Sequence, residues 1–340
     1  MTRMLRGLTA SALFALAMPA VAAETPQTPF HCEPGETYYM NVMMSGIEYW
    51  KPVFEMFQQA AEQMGCEAKF TGTPEYDVNR QLATFEQVLA RDPAGIFLHP
   101  MNPDPFIGPI ERARKMGVPV VTFAADSPRS DRVSYITSNN TREGRIAADT
   151  VAEALDGEGK YAVLENPGQD NHDRRTAAFI ERMESEYPDM ELVSQAASNQ
   201  DPSKAYNAVL TIGQSHPDLD AVFMPEATSA IGAAQAAKEL GKDIVIMSVD
   251  INAKVLDMIK AGEMHAAINP DQGMQGYMGF MLTWLAAHPE LIDPMNDYQS
   301  KGFNPMRVPY VDNGLSVVTA ENADAFYWDK YEAAREGAEQ

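Results

Sequence analysis

Strand-like and helix-like segments alternate along almost the whole chain, and this alternation limits the possible folds more than any other feature. Short apolar runs occupy residues 38–42, 67–70, 94–99 and 118–123, and segments with helical spacing of apolar residues separate them. The run at 118–123, VPVVTF, has the length and the β-branched composition of a buried strand. Strict alternation of this kind predicts right-handed crossovers and a parallel sheet.

Residues 115–155 divide the chain into two lobes. The strand at 118–123 ends in polar residues, and a second short run follows at 133–136. Asn140 is then predicted to be the N-cap of a helix, with Glu143 completing a capping box. After this crossing the alternation resumes, with a short strand predicted at 192–195, up to a strand at 265–268. We expect an α/β protein with two doubly wound parallel-sheet lobes, 36–138 plus 270–304 and 139–269 plus 305–340, joined by three hinge segments.

The first 23 residues are typical of a secretory signal peptide and are excluded from the fold. Arg3 and Arg6 precede a short apolar core, and Val21-Ala22-Ala23 is a small-residue cleavage site. The mature chain is predicted to begin at Glu24 in the periplasm, as a monomer. A net charge of −22 at pH 7 argues against nucleic acid and anionic membranes as partners.

Cys32 and Cys66 are the only cysteines of a chain that is predicted to be exported. An oxidising compartment permits a disulfide between them, and both precede predicted strands that should be neighbours. Two free, partly buried thiols are the alternative, because sequence does not show whether the Cα atoms come within about 7 Å. A single pair is too sparse for a metal site.

Candidate binding residues share one position, just past the carboxyl ends of predicted strands, where open α/β sheets bind ligands. Aromatic rings can cover the apolar face of a sugar, and carboxylates and guanidinium groups can bond its hydroxyls. The alternatives are core packing for the rings, an N-cap, a turn or a solvated charge for the carboxylates, and a surface ion pair for the arginine. The candidates are Tyr49, Trp50, Asp126, Arg175, Glu226 and Asp250.

From residue 38 to about 275 the chain resembles the periplasmic sugar-binding proteins of the ribose and galactose type, which are the soluble receptors of ABC importers. The resemblance rests on EYW after the first strand, GVPVVTF followed by Asp126, SNN at the crossing, HDRRTAAF, HPDLDAVF, IGAAQAA, IVIMSVD and GEMHAAI. It implies that Tyr49 and Trp50 clasp a sugar ring while Arg175 and Asp250 hold its hydroxyls. It also implies an inner-membrane permease as partner and no cofactor.

The chain departs from the ribose pattern at several of the family's binding positions. Ala124 and Ala125 stand where an Asp-Arg pair is expected, so we expect Asp126 to substitute. Asn199 occupies an aromatic position, Glu226 an asparagine position, and Gln272 the place of a hinge glutamine that falls on or beside Pro270. These departures favour another pentose, a hexose or a polyol over ribose.

Enzyme function is not expected. The glycines at 157–159 precede a strand instead of following one, and the sequence contains no GxSxG, P-loop or HExxH motif. A sugar-sensing partner of a histidine kinase or chemoreceptor would be built in the same way as a transport receptor. Gene neighbours would separate these two functions.

Overall fold

A computed structural model describes residues 30–292 and 308–329. The predicted signal peptide, residues 1–23, lies outside this range, as do 293–307 and 330–340. No helix in the two described segments is long and apolar enough to cross a membrane.

The first lobe is a five-stranded parallel sheet in the order β2-β1-β3-β4-β5. Helices α1 to α3 connect its strands, as the alternation predicted. Its elements are β1 (Thr37–Val42), α1 (Trp50–Gln63), β2 (Glu67–Gly72), α2 (Val78–Leu89), β3 (Gly95–Leu98), α3 (Ile107–Lys115), β4 (Val120–Phe123) and β5 (Ser134–Ile136).

The second lobe is a six-stranded sheet in the order β11-β10-β9-β8-β6-β7. Its elements are α4 (Asn140–Ala154), β6 (Gly159–Glu165), α5 (Asp170–Glu186), β7 (Met190–Ala197), α6 (Pro202–Ser215), β8 (Ala221–Met224), α7 (Ala227–Leu240), β9 (Val245–Val249), α8 (Ala253–Lys260), β10 (Ala266–Pro270) and β11 (Leu315–Val318). Helices α9 (Gln272–Ala287) and α10 (Pro289–Ile292) come between β10 and β11 in the sequence. All neighbours are parallel except β11, which runs antiparallel to β10. The predicted fold class of two parallel-sheet lobes is therefore confirmed.

Each lobe is built around a stacked phenylalanine pair that lies between sheet and helices. In the first lobe the rings of Phe97 and Phe123 are 4.0 Å apart, and in the second those of Phe179 and Phe223 are 4.1 Å apart. All four side chains are fully buried. Two separate cores of this kind allow each lobe to move as a unit.

The chain crosses between the lobes at three places: between β5 and α4, between β10 and α9, and just before β11. After the second crossing, α9 packs against α1 of the first lobe. The third crossing comes later than the predicted boundary at 304/305, because Val311 still pairs with β5 through its bonds to Tyr135 and Thr137. Residues 308–311 therefore belong with the first lobe.

The local predictions for the start of α4 and for the length of β7 were wrong. Asn139, not Asn140, caps α4, since its side chain accepts a hydrogen bond from the backbone N–H of Arg142 at 3.0 Å. Glu143 then does not reach back as a capping box; it turns inward and is fully buried. Strand β7 is also twice as long as the predicted 192–195, and β11 was not predicted.

Cys32 and Cys66 are joined by a disulfide in the structure, with their Cα atoms 5.2 Å apart. The bond ties the segment before β1 to the start of β2, at the edge of the sheet opposite to the interlobe cleft. It therefore braces the first lobe without touching the candidate site.

Candidate functional site

The carboxyl ends of strands from both lobes meet across a small pocket. Met43, Ile47, Tyr49, Trp50, His99 and Ala124 line it from the first lobe, and Gln169, Asn171, His172, Arg175, Gln200 and Asp250 line it from the second. Its volume is about 50 Å³, and the lobes touch beside it, since the backbone N–H of Ala253 in the second lobe donates to Glu48 in the first at 3.4 Å. We call this space the sugar pocket.

Trp50 and Tyr49, which the sequence predicts to form an aromatic wall, both line the sugar pocket. Trp50 is the first residue of α1, is only 4% exposed, and donates Nε1–H to the carbonyl oxygens of Met43 and Met44. The Tyr49 hydroxyl donates to Oε1 of Gln275 on α9 at 3.0 Å. The indole and phenol are thus fixed by their polar atoms, and the indole also packs edge-on against the rings of His99 and Phe123.

Arg175 lies in the second turn of α5 and is almost completely buried. Its Nε donates to Glu143 at 2.5 Å, and its Nη1 donates to the carbonyl oxygen of Pro225 at 3.0 Å and reaches Asp250 at 3.5 Å. Burial by itself would lower the pKa of Arg175, because it disfavours the charged guanidinium. The carboxylates of Glu143 and Asp250 have a larger effect in the opposite direction, so the pKa is raised. Nη2 takes part in none of these bonds and is available to a ligand.

Asp250 directly follows β9 in the left-handed backbone region, with φ of 66°. Its Oδ1 is buried and has no hydrogen-bond partner among the described residues. Burial is the main cause that raises the pKa of Asp250 to about 7; Arg175 lowers it, while Glu143 and Glu226 raise it further. An unpaired acceptor inside a closed pocket is a favourable partner for a ligand hydroxyl.

Ala124 has the same position in the first lobe that Asp250 has in the second, directly after a strand. It follows β4 and also adopts the left-handed region, with φ of 56°. Strained residues of this kind are concentrated at binding sites, where the surrounding structure holds them. The two lobes therefore present equivalent strained turns to the same pocket.

Two histidines that the sequence analysis did not select face the pocket from opposite lobes. His99 follows β3, and burial lowers its pKa to about 4; its Nδ1 has no partner within the described structure. Nδ1 of His172 lies 3.2 Å from the side-chain amide nitrogen of Asn166. The amide nitrogen donates, so Nδ1 accepts and the ring proton is on Nε2. Burial, followed by Arg175 and His99, lowers the pKa of His172. Both rings are neutral donors and acceptors.

Four of the eight predicted binding residues line the sugar pocket and four do not. Asp126 forms a two-pronged ion pair with Arg132, with oxygen to nitrogen distances of 2.6 and 2.7 Å. Glu226 caps α7 by accepting from the N–H groups of Thr228 and Ser229. Asn199 is exposed, and its neighbour Gln200 lines the pocket instead.

Gln272 is the fourth predicted binding residue that does not line the sugar pocket. It is buried at the start of α9 and lines a different hollow, between Glu48 and Trp328. Gln275, one turn later, supports Tyr49 in its place. Of the missed residues, His99 directly follows β3 and Gln200 lies three residues after β7, so a search of the polar residues just after each strand would have included them. His172 lies on α5 and would not have been found in that way.

Comparison with known proteins agrees with this geometry. The family model described as a periplasmic binding protein domain matches residues 39–289. An arabinose-binding protein from Geobacillus stearothermophilus is 34% identical with a TM-score of 0.79, and the match covers 86% of this chain and all of that one.

Two further proteins support the same grouping. A sugar-binding protein of a sugar ABC transporter from Bacillus halodurans is 31% identical with a TM-score of 0.81, over 86% of this chain and all of that one. The ribose import binding protein of Bacillus subtilis is 25% identical over 258 residues, 74% of this chain and 83% of that protein. The chain belongs to the periplasmic binding protein family, whose members are substrate-binding proteins of transporters and not enzymes, and within it to the sugar-binding proteins of ABC importers.

Proposed function

We propose that the protein is a periplasmic receptor that binds a monosaccharide unit or polyol in the sugar pocket and delivers it to an inner-membrane ABC permease. The observation that carries this proposal is the pairing, in one closed pocket, of an aromatic wall with the unpartnered acceptor of Asp250. The aromatic wall suits the C–H face of a sugar, and the acceptor suits its hydroxyls.

The charge balance of the pocket favours a neutral ligand. Arg175 is already neutralised by Glu143 at 2.5 Å, and Asp250, with a pKa of about 7, is the remaining carboxyl group. An anionic ligand would face Asp250 without an unpaired cation. A cationic ligand would compete for Asp250 with Arg175, whose Nη1 lies 3.5 Å from that carboxyl group. A neutral molecule rich in hydroxyl groups needs neither a free cation nor a free anion in the pocket.

Delivery to a permease follows from lobe closure. The ligand binds residues of both lobes, so its binding energy stabilises the closed form, and only that form reports occupancy to a partner. Micromolar affinity corresponds to about −8 kcal/mol, which ring contacts and several charge-assisted hydrogen bonds can supply.

A thermal-shift screen over pentoses, hexoses and polyols tests the proposal. A ligand at 100 times its Kd should stabilise the folded protein by roughly 2.7 kcal/mol. In calorimetry with the best ligand, Arg175→Ala and Asp250→Ala should abolish binding while the protein stays folded. The control variant Arg182→Ala removes an arginine further along α5 and should bind normally. Unchanged affinity in both pocket variants would exclude this pocket.

A further inference from the structure

The described residues that follow β11, 319–329, reach from the second lobe back to the first. They contain a short 3₁₀ helix, Ala323–Phe326, and end beside α1. There the indole Nε1–H of Trp328 donates to the side-chain carboxylate of Glu55 in a partly buried contact. We call residues 319–329 the strap, because they join the two lobes at a place other than the three chain crossings.

The strap is anchored to the second lobe, mainly through α8. Ala323 is fully buried in the core of this lobe. Asp324 pairs with Lys260 at 2.8 Å, and the hydroxyl of Tyr327 donates to Asp257 at 2.6 Å. The ammonium group of Lys260 also lies 5.3 Å from the centre of the Tyr327 ring. The strap therefore moves with the second lobe when the lobes move.

The acceptor of the Trp328 bond belongs to the first lobe. Glu55 lies in the second turn of α1, its side chain is 26% exposed, and it also pairs with Lys51 at 3.9 Å. A hydrogen bond to a charged acceptor is stronger than one between two neutral groups. Asp329 also reaches Lys51, at 3.9 Å, but its side chain is 91% exposed, so this ion pair adds little.

A hollow of about 90 Å³ lies between the lobes beside the strap. Pro52 of α1 lines it from the first lobe, and Leu256 of α8 and Trp328 line it from the second. The backbone N–H of Ala253, which begins α8, donates to Glu48, just before α1, at 3.4 Å. The lobes thus meet between α1 and α8, and the strap spans this meeting.

Opening of the sugar pocket should break the bond between Trp328 and Glu55. Trp50 begins α1, Asp250 comes three residues before α8, and these two residues line the sugar pocket from opposite lobes. A hinge rotation that separates them also separates α1 from α8 and from the strap that is anchored to α8. The bond is therefore a property of the closed form.

We infer that Trp328 is a positioning residue for ligand binding, whose bond to Glu55 stabilises the closed form and slows release of the ligand. This inference rests on the proposed function and adds a residue that sets affinity from outside the pocket, since Trp328 does not line it. A contact made only in the closed form raises the closed fraction, and the apparent affinity rises with that fraction. Its loss should appear in the dissociation rate more than in the association rate.

The test uses calorimetry and stopped-flow kinetics with four probes, L-arabinose, D-ribose, D-galactose and D-glucitol. Trp328→Phe, which keeps an aromatic ring but removes the donor, should raise Kd and the dissociation rate of the probe that binds about three- to tenfold. The association rate should stay within about twofold. Glu55→Ala should have the same effect, and the double variant should be no weaker than either single one, because both substitutions remove the same bond.

Tyr206→Phe is the matched control. The hydroxyl of Tyr206 on α6 donates to Glu239 on α7, so this variant removes an aromatic donor to a carboxylate within one lobe and should bind normally. If Trp328→Phe leaves both Kd and the dissociation rate unchanged, or if its effect adds to that of Glu55→Ala, the inference is overturned while the proposed function stands. If none of the four probes binds the unaltered protein, both proposals fail.

Discussion

Asp250 makes the sugar affinity depend on pH. An ionised carboxylate accepts two hydroxyl hydrogen bonds, so ligand binding favours the charged form and lowers the pKa from its value of about 7 in the ligand-free pocket. Affinity should therefore rise with pH through 7 and be about tenfold weaker at pH 6 than at pH 8. Calorimetry across this range measures the effect. Both pocket histidines have lowered pKa values and stay neutral here, so Asp250→Asn should flatten the profile.

The same carboxyl group should cost stability when no ligand is bound. Its pKa in the folded protein is above the value of about 3.9 in an unfolded chain, so the folded state binds more protons and loses stability as pH rises from about 4 to 7. Asp250→Asn should raise the free energy of unfolding at pH 8 by on the order of 2 kcal/mol and have little effect at pH 4. Equal effects at both pH values in urea unfolding would contradict this account.

Glu143 is the buried counter-ion that holds Arg175 in place. It also accepts from Ser138 and Asn140 of the first crossing, so it links the hinge to the binding arginine. Glu143→Gln should destabilise the protein by about 3–5 kcal/mol and weaken sugar binding, because it leaves a buried cation with less compensation. Asp149→Asn is the control: its pair with Arg182 joins the same two helices but is partly exposed, and should cost at most about 1 kcal/mol.

At the scale of elements, the sequence predicted most helices and strands because strand runs and helical spacing alternate clearly. It missed the part of β7 beyond residues 192–195, where exposed and buried residues do not alternate strictly. It also missed β11, which runs antiparallel to β10 and so differs from the parallel pattern of the other strands. It also placed the cap of α4 one residue late, since Asn139 and Asn140 are equally good cap residues. The contact that distinguishes the two positions is the burial of Glu143 beside Arg175, which lies on a different helix, α5.

Close packing of α1 on α9 depends on Gly276. A Cβ at this position would overlap the backbone carbonyl of Val53 on α1, whereas a Cβ at Gly273 on the same helix meets Met56 at an ordinary 3.5 Å. Gly276→Ala should therefore destabilise the protein by about 1–3 kcal/mol through overpacking. Gly273→Ala should be neutral or stabilising by up to about 1 kcal/mol, as expected for alanine in a helix. Urea unfolding of the two variants measures the difference.

At the scale of the molecule, ligand binding should shift the lobes further toward the closed arrangement. Each lobe has its own core, and three crossings join them, so the free protein can open by rotation at the hinge. Small-angle X-ray scattering should show a smaller radius of gyration when a saturating sugar is added. Asp250→Ala should show no such decrease, and a radius that does not change in the unaltered protein would contradict hinge closure.

The sequence determined the two-lobe architecture, because the periodicity of apolar residues and the order of strands and helices are local properties that the chain carries along its length. It also selected Tyr49, Trp50, Arg175 and Asp250, all of which line the sugar pocket. Only the tertiary structure decided that Asp126 and Glu226 satisfy neighbours within their own lobe, that Gln200 replaces Asn199, and that His99 and His172 meet across the cleft. Those outcomes depend on which side chains from distant segments become neighbours, and the periodicity of residues along the chain does not specify distances between such segments.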